Sequence, residues 1–163
     1  MMRPQKENTM TDAKKLTEVL RQELALQNRY CKLLEAQKRA LLACDRVTFS
    51  KLVPEQEAVA ETLEMQETRR RATFQSEVGE PMTVSALIED LPDGAKRPVN
   101  ALRNDLRKVL DKVAVLSQQN QVLIENELGY ISFALDLFVD AGRKADSYGG
   151  SRGGRRLFLD RVA

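Results

Sequence analysis

Between Arg97 and Asp140, apolar residues recur mostly at alternating spacings of three and four: Val99, Leu102, Leu106, Val109, Val113, Leu116, Leu123, Ile131, Leu135 and Phe138. Only a helix puts residues so spaced on one stripe. At ~1.5 Å per residue, about 44 residues would span roughly 65 Å. No small globular core needs a helix of that length, so it requires partner helices from its own chain or another. Asn120 sits where the next large apolar residue should fall. A core asparagine sets register at some cost in stability, and its amide then needs a partner across the seam. Glu127 interrupts the stripe one heptad later, with Leu128 beside it able to take over the apolar role. Gly129 follows, and a mid-helix glycine costs about 1 kcal/mol relative to alanine. Beyond it, Ile131, Phe133, Leu135, Leu137, Phe138 and Val139 are apolar on more than one face. Either this helix end is buried among other helices or its surface is kept for a partner.

Two shorter helices are predicted ahead of this one. Met1 to Met10 is polar, and Thr11 or Asp12 suits a helix N-cap. A stripe then runs Leu16, Val19, Leu20, Leu24, Leu26, Tyr30, Leu33, Leu34 and Leu41, ending near Cys44. Asp45 suits the N-cap of a second helix carrying Phe49, Leu52, Val53, Val59, Ala60, Leu63, Met65 and Phe74. Pro54 either kinks this helix near Ser50 or marks its start, since proline is tolerated at a first helical position. Two helices of similar length joined by almost nothing should fold back as an antiparallel hairpin. Gly79 and Pro81 break the chain. Thr83 suits the cap of a short helix, Val84 to Asp90, with Leu87 and Ile88 facing inward. Pro92, Gly94 and Pro98 are expected to form a turn before the long helix.

Composition agrees with helices. Charged residues make up 31% and aromatics 5%, with no tryptophan or histidine, as in helical bundles and coiled coils. The expected fold is all-α: an elongated antiparallel bundle of three long helices, coiled-coil-like, with a short connector helix. Residues 1–11 form a flexible leader, 12–142 the bundle and 143–163 a flexible tail. The net charge of +2 does not make the whole chain a polyanion binder. Arg69, Arg70 and Arg71 follow five glutamates on their helix and suit its C-terminal dipole better than nucleic acid. Cys31 and Cys44 have neither CxxC spacing nor a histidine beside them, which argues against zinc and for reduced thiols in a cytosolic setting. No signal peptide is expected, since Arg3, Lys6 and Glu7 lead into no apolar core, and no apolar run reaches membrane-spanning length.

Chemistry built on imidazole is excluded, and no HExxH, GxSxG or phosphate-binding glycine loop occurs. Ser151 has no base to activate it. The carboxylates read as solvated helix faces, so neither an enzyme nor a cofactor or metal site is expected. A binding or structural protein remains. Leu128, Ile131, Leu135 and Phe138 are the candidate groove for a partner's amphipathic helix. From residue 143 onward the composition changes, with six basic and two acidic side chains and two glycine pairs. Tyr148, Leu157, Phe158 and Leu159 within it would serve as apolar hooks. A plain coiled-coil assembly part and, less well supported, a nucleic-acid adaptor compete with this reading.

Taken in order, these segments resemble the FlgN family of flagellar export chaperones. The resemblance is carried by the first stripe from Leu16 to Leu41 and by the glutamate-rich second helix, Glu57 to Arg70. It continues through Leu116-Ser117-Gln118-Gln119-Asn120 with Leu123-Ile124 and Ala134-Leu135. The tail Tyr148-Gly149-Gly150 with Gly153-Gly154 and the ending Leu159 to Ala163 complete it. It implies a cytosolic chaperone that holds the hook–filament junction proteins FlgK and FlgL by their C-terminal helical regions. Such a chaperone prevents early polymerisation and delivers its clients to the flagellar type III export gate. Tyr148 matches the family tyrosine implicated in contact with the gate protein FlhA. The arginine-rich tail (Arg152, Arg155, Arg156) and the long connector from Thr83 to Pro98 depart from the family pattern.

Overall fold

The computed structural model describes residues 4–75 and 79–148, with side chains over 10–75 and 79–144. The elements are α1 (Pro4–Leu42), α2 (Arg46–Thr73), α3 (Val84–Glu89) and α4 (Asp93–Tyr148). The expected all-α architecture of three long helices and one short helix is what the chain adopts. Among the described residues the only strand-like feature is an isolated antiparallel bridge between Gln75 and Pro81. The chain divides into two compact units, Met1–Leu123 and Ile124–Ala163.

Helix boundaries differ from the sequence expectation in three places. Helix α1 begins at Pro4, well before Thr11. Residues 4–10 carry no apolar periodicity to announce a helix, but proline suits a first helical position and the following lysine, glutamate and methionine propagate one. Of the two readings of Pro54, the one that keeps it inside the helix agrees with α2, which runs from Arg46 through Pro54 without a separate turn before it. Helix α4 begins at Asp93 and contains Gly94 and Pro98, which were expected in a turn. Its first turn is secured by the Pro92 carbonyl, which accepts from Ala95 N–H at 2.8 Å and Lys96 N–H at 3.2 Å. Pro98 then omits only one bond near the helix N-terminus. At the other end α4 passes Asp140 and Gly142 and reaches Tyr148.

The α1–α2 connection is as short as expected. Asp45 N–H donates to the Ala40 carbonyl at 2.8 Å and Cys44 N–H to that of Leu41 at 3.1 Å. That bond pair closes a helix with a left-handed residue between, and Cys44 has φ 54°. Asp45 then caps α2, its carboxylate accepting from Thr48 N–H at 3.0 Å. The two helices run antiparallel, as their cross-links show: Gln66 donates to Gln22 at 3.1 Å and Gln56 to Tyr30 at 3.0 Å, while Gln37 donates to Gln56. Gln37 is buried, and Val59 is the only buried residue of α2 itself. Amides therefore carry much of this pairing.

The main core lies between α1, α3 and the first part of α4. Ala13, Leu16 and Leu20 pack with Phe74, Leu87, Ile88, Leu91, Val99 and Leu106. Thr83 caps α3, its hydroxyl accepting from Ala86 N–H, so the connector delivers Leu87 and Ile88 inward as expected. A second cluster joins Cys31 and Leu34 to Leu116, flanked by Val109 and Val113. Contact positions rise together along α1 and α4, so these helices are parallel. Exposed ion pairing between Glu35 and Lys112 adds little.

Between α1 and α2, burial raises the Glu23 carboxyl above its ordinary 4.5, partly opposed by Arg70 and reinforced by Glu67. Burial also pushes Glu67 upward, but hydrogen bonds from Arg70 and Arg71 outweigh it and hold Glu67 below 4.5. The two have opposite linkage. The Glu67 contribution is present above its unfolded pKa and is lost as pH falls through its folded pKa. Glu23 favours the fold when protonated, and that benefit is lost as pH rises through its raised value. Glu23→Gln should therefore raise the urea midpoint at neutral pH and leave it unchanged in strong acid. An equal shift at both pH values would show that the charge of Glu23 is not responsible.

Candidate functional site

The second unit contains the last part of α4. Its large apolar residues face outward: Leu128 is 61% exposed, Tyr130 68%, Phe133 60%, Leu135 59%, Leu137 55%, Phe138 77% and Val139 53%. Ile131 is half-buried. In the first unit, Val99, Leu106 and Leu116 on the same helix are each below 10% exposed. This surface is the candidate site. Gly129 lies within it, and an added methyl there would meet nothing within 4 Å. The glycine is thus a local helix weakness, with no close approach to explain it.

The sequence-predicted residues fall into three groups. Leu128, Ile131, Leu135 and Phe138 share one stripe of α4, at spacings of three and four. Tyr148 is the last residue of α4, and its side chain lies outside the described residues. Leu157, Phe158 and Leu159 also lie outside the described residues. Asn120 belongs to the first unit, is 4% exposed, and donates from Nδ2 to the Leu34 carbonyl at 2.9 Å.

The Asn120 Oδ1 is buried with no hydrogen-bond partner among the described residues. Leu34 lies inside α1, so its carbonyl belongs to the helix ladder and is not orphaned if the asparagine is lost. Asn120→Leu removes one bond of about 0.5–1.5 kcal/mol but also an unsatisfied buried oxygen costing about 1–3 kcal/mol. The expected outcome is a higher melting temperature, or a changed oligomeric state if the amide sets register. A lower melting temperature with unchanged oligomeric state would mean that the bond to Leu34 outweighs both gains.

Sequence reasoning missed three features. Tyr130, Phe133 and Leu137 form further exposed apolar surface on α4, legible as a second apolar face but not assigned a role. An open recess of about 380 Å³ lies among Lys38, Leu42, Gln118, Gln119, Val122 and Leu123, where α1 ends. Lys38 donates to Gln119 at its rim at 2.8 Å. The glutamine ladder between α1 and α2 is the third. Gln37 stands in the stripe between Leu34 and Leu41, a position that itself signals a buried amide.

What this arrangement offers is apolar burial. A large side chain moved from water to a fitted interface contributes roughly 1.5–3 kcal/mol. No group of histidine, cysteine, aspartate and glutamate among the described residues could hold a metal ion. No helix among them is long and apolar enough to cross a membrane. Comparison with curated proteins and with solved structures gives no match. The profile of the FlgN protein matches residues 10–154, which takes in both the α1–α2 hairpin and the exposed part of α4. The chain belongs to the FlgN family, non-catalytic chaperones that serve flagellar hook–filament junction proteins on their way to export.

Proposed function

We propose that Leu128, Ile131, Leu135 and Phe138 receive the C-terminal helical region of junction proteins of the FlgK and FlgL type, and that Tyr148 contacts the export-gate protein FlhA. The observation that carries the client site is the exposure of this stripe, with Phe138 at 77%, on a helix whose earlier stripe residues Val99, Leu106 and Leu116 are buried. An amphipathic client helix laid along it would cover apolar surface on both partners. Leu157, Phe158 and Leu159 supply a second apolar point, and the tail arginines favour encounter with an acidic surface. Tyrosine suits a contact that must form and release, since it offers one large apolar body with a polar tip.

The test is calorimetric titration of the full chain with purified FlgK and FlgL, repeated with Tyr148→Ala, alongside an export assay. Wild type should bind at least one of the two. Tyr148→Ala should keep the fold and client affinity while reducing delivery. Failure of the folded chain to bind either protein would remove the client assignment. Loss of fold in Tyr148→Ala would place Tyr148 in a structural role and end the gate reading.

A further inference from the structure

Helical geometry sorts the residues of the second unit more finely than one stripe. Successive residues step by about 100° around the axis. Leu128, Ile131, Leu135, Phe138 and Val139 then fall on one arc. Tyr130, Phe133 and Leu137 fall on another, roughly 150° away by the same stepping. On one side the arcs are bridged by Ala134 and Ala141, with Glu127 at the near end, and on the other they are separated by Ser132, Asp136, Asp140 and Arg143. Between residues 128 and 141 apolar character therefore covers about two-thirds of the circumference, leaving one polar strip. A helix lying against a single neighbour needs an apolar stripe of only about 100°. One groove-filling helix would leave Tyr130, Phe133 and Leu137 in water, at 68%, 60% and 55% exposure.

We infer that this part of α4 is the inner helix of a mixed bundle, held between two amphipathic helices of one client molecule, one on each arc. The inference rests on the client reading proposed above and adds the second arc to it. With the arcs roughly 150° apart, the two client helices lie on nearly opposite sides of α4 and pack against it, not against each other. The polar strip, with Asp136, Asp140 and Arg143, stays in water between the two client helices. A second copy of this chain fits less well. Within this unit a copy offers one described helix, α4, which could cover one arc and leave the other exposed.

The experiment compares two double variants of the full chain, Phe133→Ser with Leu137→Ser and Ile131→Ser with Leu135→Ser. Each is titrated with full-length FlgK and FlgL, with circular dichroism to check helix content. Light scattering is recorded with and without client. Both double variants should lose at least tenfold in affinity for the client that wild type binds. Wild type should form a complex of one chaperone with one client. Full affinity in the Phe133/Leu137 variant, with loss in the Ile131/Leu135 variant, overturns the two-sided arrangement and leaves the single groove standing. Full affinity in both removes the client reading itself. A complex of one chaperone with two clients would show separate occupants on the two arcs. Conversion of a free dimer to monomer in the Phe133/Leu137 variant, with client affinity unchanged, would assign that arc to a second copy. Either result overturns the inference.

Discussion

Leu20→Ala is expected to destabilise the first unit by about 2–5 kcal/mol, the range for emptying a well-packed leucine site. Leu20 has no exposed surface and lies in the cluster that joins α1 to Phe74, to Leu87, Ile88 and Leu91 of the connector, and to Val99 and Leu106 of α4. No other part of the unit gathers so many elements. The α1–α2 pairing has one buried residue on α2, Val59, beside amide bonds that each contribute about 0.5–1.5 kcal/mol net. The second cluster has only three buried members. A domain with total stability of about 5–15 kcal/mol has little reserve against such a loss. Urea denaturation followed by circular dichroism measures it. Leu42→Ala, at a side chain 63% exposed, is the control and should change stability by less than about 0.5 kcal/mol. Equal effects at the two positions would mean that the cluster around Leu20 does not hold the unit together.

Periodicity made the buried faces legible and the boundaries much less so. Leu16, Leu20, Leu34, Val99, Leu106 and Leu116 were all marked by spacing, and all are buried. Spacing reports where a helix meets a neighbour, and it says nothing about where a polar helix begins. The early start of α1 at Pro4 therefore had no signal. Proline is read too strongly at Pro98, and at Pro54 only in the alternative that starts the helix there. Pro54 and Pro98 each omit one ladder bond, and both helices continue through them. Asp45 and Thr83 were legible as caps because a side-chain acceptor beside orphan N–H groups has a local cause. Cys44 was not legible as the left-handed residue, since glycine is the usual choice at that position.

The candidate site was legible for a different reason. The apolar residues after Glu127 exceed what one seam requires, and that surplus is visible without coordinates. Spacing alone does not report exposure, and Leu128, Leu135 and Phe138 are each more than half exposed. The glutamine ladder went unread because glutamines on a helix surface are common. Only the place of Gln37 within an apolar stripe distinguishes it.

Ile131→Ser with Leu135→Ser is expected to weaken client binding by about 3–6 kcal/mol, at roughly 1.5–3 kcal/mol for each large side chain that the interface buries. That corresponds to a loss of about a hundredfold or more. The lower end is the safer expectation, because association also orders side chains on both partners and buried area converts incompletely to affinity. Leu135 is 59% exposed in the free chain, so its change should cost the fold little. Ile131 is half-buried, so helix content must be checked alongside affinity. Titration calorimetry measures the binding, and light scattering across concentrations identifies what the face covers. Weakened binding by a folded chain of unchanged oligomeric state supports the client groove. Unchanged affinity with an intact fold places the groove elsewhere. If the same change instead converts a dimer to a monomer and leaves client affinity alone, Ile131 and Leu135 form a seam between two copies. The surplus apolar surface after Glu127 would then serve assembly and not chaperoning.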